Sequence, residues 1–309
     1  MDKKAIIIGA KGQDGTLLGG FLLNKGYHVI GVGVDFIHSS EQRVLNKVDI
    51  LKENEVNDMI SSIKPDEIYY LAAYHHSSQD KEVETRDLID KSYKINIQGL
   101  VNFLEAIRRH SVKTRLFYAS SSLIFGNTAQ NPQTEETPLN PVCIYGISKV
   151  AGMQICRFYA QKHAVFASIG ILYNHESHLR PENYLSQKIV TAAKKIKAGL
   201  QKELVVGDLG AQADWGYAWD YVEAMWKILQ SESPDTFIVA TGKTHFVSDW
   251  VRLAFAKVGL NSKDYVHEDK SFITRKKGIL VGDSSKLCDR TGWKPKTSFE
   301  EMISLMMQN

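Results

Sequence analysis

No stretch of this 309-residue chain approaches the ~20 consecutive apolar residues that a membrane span needs, and its first residues show no signal-peptide pattern. A cytoplasmic protein with no membrane partner is therefore expected. Cysteine is scarce. The three present, Cys143, Cys156 and Cys288, have no CxxC spacing, which argues against a disulfide framework or a zinc site and fits a reducing compartment. An excess of one charge is missing too. A balance of 38 basic against 35 acidic side chains leaves +3, too little to argue for nucleic acid, and no basic block is interleaved with aromatics. The short cluster Lys194–Lys197 reads as the solvated face of a helix. There is no internal repeat and no low-complexity tract. A hydrophobic share of 43% and a charged share of 24% describe an ordinary globule. Its length suits one large α/β domain, or a nucleotide domain with a smaller lobe.

What is present is organised around residues 119–149, which read ASSSLIFG, a polar loop with prolines, then YGISK. Tyr145 and Lys149 stand four apart at a helix start and share a face. An ammonium beside a phenol favours the phenolate and lowers a pKa that is ordinarily ~10. Tyr145 could then exchange a proton with a sugar hydroxyl or ketone, and the Ser121 hydroxyl could hold the same oxygen. YxxxK by itself is common by chance and can be no more than an exposed helix start.

The surrounding pattern gives it weight. Lys4–Gly9 is a β-branched apolar run, a buried first strand. It turns directly into Gly9, Gly12 and Gly15, a GxxGxxG that opens an amphipathic helix to about Asn24. Strand, glycine turn and helix in that order fit a dinucleotide pyrophosphate seated on a helix N-terminus. His28–Val34 predicts a second strand, with Asp35 at its end. An acid there suits the 2′-hydroxyl of NAD and repels the 2′-phosphate of NADP; Arg43 is the residue that would reverse the preference. Arg43–Ile50 reads as a third strand that sets Asp49 and Ile50 against adenine. Leu51–Lys64 is helical. Glu67–Ala73 is a fourth strand whose small end, Leu71, Ala72 and Ala73, lets the backbone run close to a cofactor. Tyr74, His75 and His76 follow at its carboxyl end, where open α/β sheets place ligands. Two histidines with no third ligand at usable spacing do not make a metal site.

Asp87–His110 predicts a long helix, Arg115–Ser120 a fifth strand, Tyr145–His163 a helix and Val165–Leu172 a sixth strand. Strict β-α-β alternation predicts a Rossmann-type, doubly wound parallel sheet over residues 1–172. From Tyr173 the texture turns polar. Strands at Glu203–Val206 and Thr236–Ala240 alternate with helices at Tyr217–Gln230, Val247–Val258 and Phe299–Met307. Residues 173–309 are expected to form a smaller substrate lobe, with segments able to return to the main domain.

Several longer strings are more specific: GQDG at Gly12–Gly15, LAA at Leu71–Ala73, YNHES at Tyr173–Ser177, DWGYAWDYVEAMW at Asp214–Trp226, VGD at Val281–Asp283 and GWKP at Gly292–Pro295. On these the chain resembles the extended short-chain dehydrogenases/reductases and, within them, is similar to the GDP-mannose 4,6-dehydratases over nearly its whole length. The resemblance implies an enzyme on a GDP-linked sugar, in surface polysaccharide biosynthesis. It implies that Tyr145 is the acid/base and that Lys149 binds the nicotinamide ribose and lowers the tyrosine pKa. It places Ser121 where the dehydratases have threonine, Gln13, Asp14, His175 and Arg180 at the cofactor, and Asn174 and Lys188 near the substrate. A homodimer through the helices Asp87–His110 and Tyr145–His163 is implied as well, with a tetramer as the alternative.

The departures are informative. The dehydratases read Thr-Ser-Glu where this chain has Ser121-Ser122-Leu123, and their glutamate acts on C5 to expel water. Leucine carries no proton. The cysteine that GDP-fucose synthases use there is missing too. Ala213 and Ile273 replace arginines that grip the diphosphate, although Arg275 can reach the same space. Val34-Asp35 replaces an arginine pair used with NADP, which favours NAD. The expectation is an NAD-dependent oxidoreductase that interconverts alcohol and ketone at C4 of a GDP-linked manno-type hexose or heptose without dehydration. C4 epimerisation, a divergent 4,6-dehydratase with His75 or Cys143 in place of the glutamate, and a non-catalytic nucleotide-binding protein are the other readings.

Overall fold

A computed structural model describes residues 2–33, 37–39, 48–75, 83–272 and 278–308. The first apolar run forms β1 (Lys4–Ile8), whose residues Ala5–Ile8 are at most 1% exposed. Such a run, apolar at every position, is what a parallel strand covered on both faces demands. Ala5 and Ile7 pack on one side of the sheet with Leu18, Tyr221, Val222 and Met225; Ile6 and Ile8 pack on the other with Val56, Leu104 and Met153.

From β1 the chain passes through α1 (Gln13–Asn24), β2 (His28–Val32), β3 (Ile37–Ser39), α2 (Glu53–Ile63) and β4 (Glu67–Tyr70). It continues as α3 (Thr85–Tyr93), a π-helical turn at Lys94–Gln98, α4 (Gly99–His110), β5 (Arg115–Ser121), α5 (Ile144–His163) and β6 (Phe166–Leu172). The predicted Asp87–His110 helix is thus one helical run interrupted by the π turn. The expected third strand differs more. The described strand after β2 is β3, antiparallel to it, and Val48–Ile50 are not in a strand. The Asp49 carboxylate accepts a hydrogen bond from Leu51 N (3.0 Å), and Asp49 N donates to Glu55 (2.7 Å). These bonds turn the chain into α2, where a ladder would have kept it extended. Residues 43–47 lie outside the described residues.

After β6 come β7 (Asn174–Glu176), α6 (Leu185–Lys197), β8 (Leu204–Val206), β9 (Gln212–Tyr217), α7 (Ala218–Leu229) and β10 (Thr236–Val239). The chain ends through β11 (Thr244–Phe246), α8 (Val247–Lys257), β12 (Val266–Glu268), α9 (Ser285–Thr291) and α10 (Phe299–Gln308). The main sheet has seven strands in the order β10-β6-β5-β4-β1-β2-β3. Its pairs are parallel except β2–β3. It is the Rossmann-type sheet that the alternation predicted.

Two short sheets, β11-β9-β7 and β12-β8, lie with α6, α8 and α10 around a separate core of Ile189, Trp215, Trp250, Phe299 and Met302. Meanwhile α7 packs beneath the main sheet and β10 extends its edge. Glu135 accepts from Ile238 N (2.8 Å) on that edge, which occupies a donor that a bare edge strand would present to other chains.

The strand order reverses between β1 and β4. In open α/β sheets the crevice outside the carboxyl ends of the strands at that point is where ligands bind. GQDG, LAA and the residues after β4 converge there.

Candidate active site

The glycine turn is built by close backbone approach. Gly9 has φ +93°, and a Cβ on it would meet Ala72 N at 2.8 Å; a Cβ on Gly15 would meet Gly9 O at 2.4 Å. Gly12 sits at the head of α1, whose first N–H groups and positive dipole end face the crevice. These features suit a pyrophosphate.

GQDG and NHES, far apart in sequence, clasp each other. His175 Nε2 lies 2.9 Å from Asp14 Oδ2, and His175 Nδ1 lies 2.7 Å from Tyr173 O. Gln13 donates to His175 O (3.1 Å) and accepts from Ser177 Oγ (2.9 Å). Arg180 donates to His175 O and to Glu176 Oε2 (2.9 Å), which also takes Ser186 Oγ at 2.6 Å. Burial alone would raise the Asp14 carboxyl; the charge and hydrogen bond of His175, with help from Arg180, outweigh it and hold the group at about 2. The His175 ring also stacks on Tyr221 at 4.6 Å. Four residues expected at the cofactor therefore also lock the glycine turn to the strand after β6.

Ser121 ends β5, and its Oγ accepts from Leu123 N (3.3 Å), capping the short 3-10 turn at Ser122–Ile124. Tyr145 lies in the first turn of α5, which Cys143 caps by accepting from Gly146 N at 3.4 Å. Lys149 is 1% exposed. Its Nζ donates to Ala119 O (2.7 Å) and lies 5.0 Å from the Tyr118 ring centre and 5.5 Å from that of Tyr145. Serine, tyrosine and lysine thus stand on neighbouring elements at the crevice.

The electrostatics differ from expectation. Burial lowers the Lys149 ammonium to about 7. Burial also pushes the Tyr145 phenol well above its usual range, with Tyr184 and Asp14 adding in the same direction. Spacing along a helix predicted that the lysine charge would dominate. Desolvation of both groups wins instead.

Two features of the site carried little or no sequence signal. Asn96, buried in the π turn, accepts from Tyr74 N (2.8 Å) and donates to Ser148 Oγ (2.8 Å), which in turn donates to Tyr145 O (2.8 Å). It ties the loop after β4 to the turn of α5 that carries Tyr145. A π turn inside a helix is a common mark of function, but only structure exposes it. The second feature is a pair, His75 and Tyr184. The His75 ring meets Tyr145 edge-to-face at 4.6 Å, and His75 Nδ1 lies 3.3 Å from Tyr184 Oη. His75 was visible at a strand's carboxyl end; Tyr184 was one aromatic in a polar loop.

Among the other expected residues, Leu71 pairs with β1 through its N–H to Ile8 O (2.9 Å), and Ala72 backs the glycine turn. Ala73 follows, exposed. Ile50 O accepts from Asn102 Nδ2 (2.8 Å). Exposed Asn174 donates to Asp214 O (3.2 Å), and Lys188 Nζ donates to Val205 O (3.0 Å). Asp214 is buried and accepts from Thr241 Oγ1 (2.6 Å) and Gly242 N (2.9 Å), so the DWG string pins β9 to the turn after β10. Asp35, Arg43, His76, Ile273 and Arg275 lie outside the described residues. No group of three or more His, Cys, Asp or Glu able to hold a metal occurs among the described residues. No helix among them is long and apolar enough to cross a membrane.

The fold is that of nucleotide-sugar epimerases and dehydratases of the extended short-chain dehydrogenase/reductase class. RMD from Pseudomonas aeruginosa, solved with NADPH, superposes with a TM-score of 0.85 at 20% identity, covering 99% of this chain and 98% of that one. UDP-glucose 4-epimerase from Thermotoga maritima, solved with UDP-glucose, also gives 0.85 at 20% identity, with 99% and 97% covered. The particular family follows from sequence. The family model for GDP-mannose 4,6 dehydratase matches residues 6–306. GDP-mannose 4,6 dehydratase 2 of Arabidopsis thaliana is 38% identical over 326 residues, covering 99% of this chain and 86% of that protein. GDP-mannose 4,6-dehydratase of Yersinia enterocolitica is 31% identical, covering 99% and 93%. The chain belongs to the GDP-mannose 4,6-dehydratase family.

Proposed function

We propose that the protein is an NAD-dependent oxidoreductase that interconverts alcohol and ketone at C4 of a GDP-linked manno-type sugar, hexose or heptose, without dehydration. One observation carries the reading. The short turn that follows Ser121 holds Leu123, where similarity to the dehydratases leads one to expect glutamate, while the chain keeps Tyr145 and Lys149 and has the Ser121 hydroxyl in place of a threonine's.

Gly9, Gly12 and Gly15 would hold the cofactor pyrophosphate over α1, and Lys149 the nicotinamide ribose. When bound, the nicotinamide supplies hydride exchange with C4. The protein's own part is proton handling at O4. Ser121 Oγ holds that oxygen. Tyr145, kept protonated by burial, gives its proton to O4 as a ketone is reduced; in oxidation it must take that proton as a phenolate, a form that burial opposes and that Lys149 offsets only in its charged state. Nothing in this scheme asks for an acid at C5. The Leu123 side chain offers none, so elimination of water across C5–C6 has no general acid or base there.

The preference for NAD rests on Asp35. Asp35→Ala should weaken NAD more than NADP, and equal losses would refute the preference. We also assign residues 173–309 mainly to substrate binding, and the chain to a homodimer. Supporting the dimer, Ile89 (47% exposed) and Tyr93 (56%) on α3 and Ile147 (51%) and Phe158 (50%) on α5 are four large apolar side chains open to solvent on two helices that pack together.

The deciding experiment is the mass of the sugar nucleotide after incubation of the purified protein with GDP-mannose or a GDP-heptose and NAD. Loss of two hydrogens, or the hydrated ketone, is expected. Loss of one water would mean that dehydration survives without the glutamate. Unchanged mass with a new C4 configuration would mean an epimerase, which the same triad serves if the ketone can turn over in the site.

A further inference from the structure

The His75–Tyr184 contact lies at the part of the crevice where chemistry is expected. His75 follows β4, one of the two strands between which the sheet order reverses. Tyr184 is the N-cap residue of α6, which belongs to the other core. Their contact, Nδ1 to Oη at 3.3 Å with rings stacked at 6.1 Å and 23°, spans the crevice from one body of secondary structure to the other. It does so against the face or edge of Tyr145, whose ring centre is 4.6 Å from that of His75. All three side chains are only partly buried.

The pair is also backed on the Tyr184 side. The Arg180 guanidinium lies 4.8 Å from the Tyr184 ring centre and is itself anchored on Glu176 Oε2 and His175 O. His175 reaches Asp14 in the glycine turn. A continuous set of contacts therefore runs from the head of α1 to Tyr145 by way of His175, Arg180, Tyr184 and His75. Two polar aromatic side chains, braced and oriented beside a proton-transfer residue, match what a sugar ring requires. Its C–H faces pack on aromatic surface, and its hydroxyls need donors and acceptors in fixed positions.

We propose that His75 and Tyr184 form a second polar pair of the active site that hydrogen-bonds the hydroxyls of the hexosyl ring and so selects the sugar, while Tyr145 handles O4. The inference rests on the reading of the site as one for a GDP-linked sugar and names the residues that grip the sugar end. It separates two jobs: the pair holds the glycosyl group and contributes nothing to the nucleotide.

The test is calorimetric binding of GDP and of GDP-mannose to wild type, Tyr184→Phe and His75→Asn. NADH affinity by fluorescence and the product mass are measured on the same samples. Wild type should bind GDP-mannose more tightly than GDP. Tyr184→Phe should lose about tenfold in GDP-mannose affinity, the scale of one or two hydrogen bonds, with GDP and NADH affinities held within about twofold. His75→Asn, which keeps a polar group near Tyr184, should lose less than Tyr184→Phe. Equal binding of GDP and GDP-mannose by wild type would overturn the inference, as would equal losses for both ligands in Tyr184→Phe, the signature of a latch that merely holds the two bodies together. A wild type that shows the differential binding but releases one water from GDP-mannose would leave the pair standing and refute the proposed function. A wild type that binds neither GDP ligand would refute both.

Discussion

The two ends of the main sheet each bury a charge, and they treat it differently. At the amino end of β4, Glu67 is 0% exposed and surrounded by donors: Tyr69 Oη at 2.7 Å, Tyr27 Oη at 2.9 Å, Gln230 Nε2 at 3.1 Å and Lys3 Nζ at 3.2 Å. Trp226 Nε1 donates to Tyr27 Oη (2.9 Å) and closes the knot against α7. At the carboxyl end, Lys149 is 1% exposed with one hydrogen bond among the described residues, to Ala119 O. A carboxylate with four donors is a satisfied structural pin. An ammonium has three protons to place, and one bond leaves it strained enough that burial brings it to about 7. Proteins tolerate an under-compensated charge where it does a job, so the contrast supports the site proposed above at the carboxyl end.

The comparison breaks most readily at Tyr145. Tyr145→Phe should lower kcat about a thousandfold. NADH binding, followed by fluorescence, should be retained; retained turnover would remove Tyr145 from its role. Lys149→Met should lower kcat about a hundredfold and yet raise the unfolding midpoint at pH 6, because a desolvated cation is replaced by an apolar chain of similar length.

The pH dependence sharpens the same point. Lysine ordinarily titrates near 10.5, and in the folded protein Lys149 does so near 7. Between those values the unfolded chain binds more protons than the folded one, so this group makes stability rise with pH across the window, and its penalty is complete below it. Denaturant titrations at pH 6, 8 and 9.5 should show the rise in wild type and a flatter profile in Lys149→Met. An identical slope in both would mean that Lys149 is not the source.

At the other end the signs reverse. Glu67→Gln should cost about 2 kcal/mol of stability, since a charge that satisfies four donors becomes an amide that satisfies fewer, with kcat per folded molecule unchanged. A change in kcat there would couple the two ends. The smallest effect is expected from Leu123→Glu, which should release a minor fraction of product lighter by one water. No such product would mean that more than one side chain separates this site from the dehydratases.

Much of this was legible beforehand for a local reason. β1, the glycine turn and α1 are consecutive in sequence, and their residue types leave few alternatives for the backbone. The alternation that announces a parallel sheet is likewise a one-dimensional pattern. Tyr145 and Lys149 share a turn of helix, so spacing alone set them side by side. The expectation about Arg43–Ile50 went wrong where side chain–backbone bonds at Asp49, invisible in apolar patterning, turned Val48–Ile50 away from a ladder.

The sequence by itself determined the fold class and the crevice at the strand ends, and it put Tyr145 and Lys149 forward together as candidates for proton handling, because each depends on periodicity or on neighbours within a few residues. The tertiary structure alone decided the direction of the pKa shifts, since desolvation depends on everything packed around Tyr145 and Lys149 and not on their spacing. It alone brought Asp14 to His175 across 161 positions and His75 to Tyr184 across 109. Contacts of that span belong to the way the sheet and the second core close on each other, which no local pattern encodes.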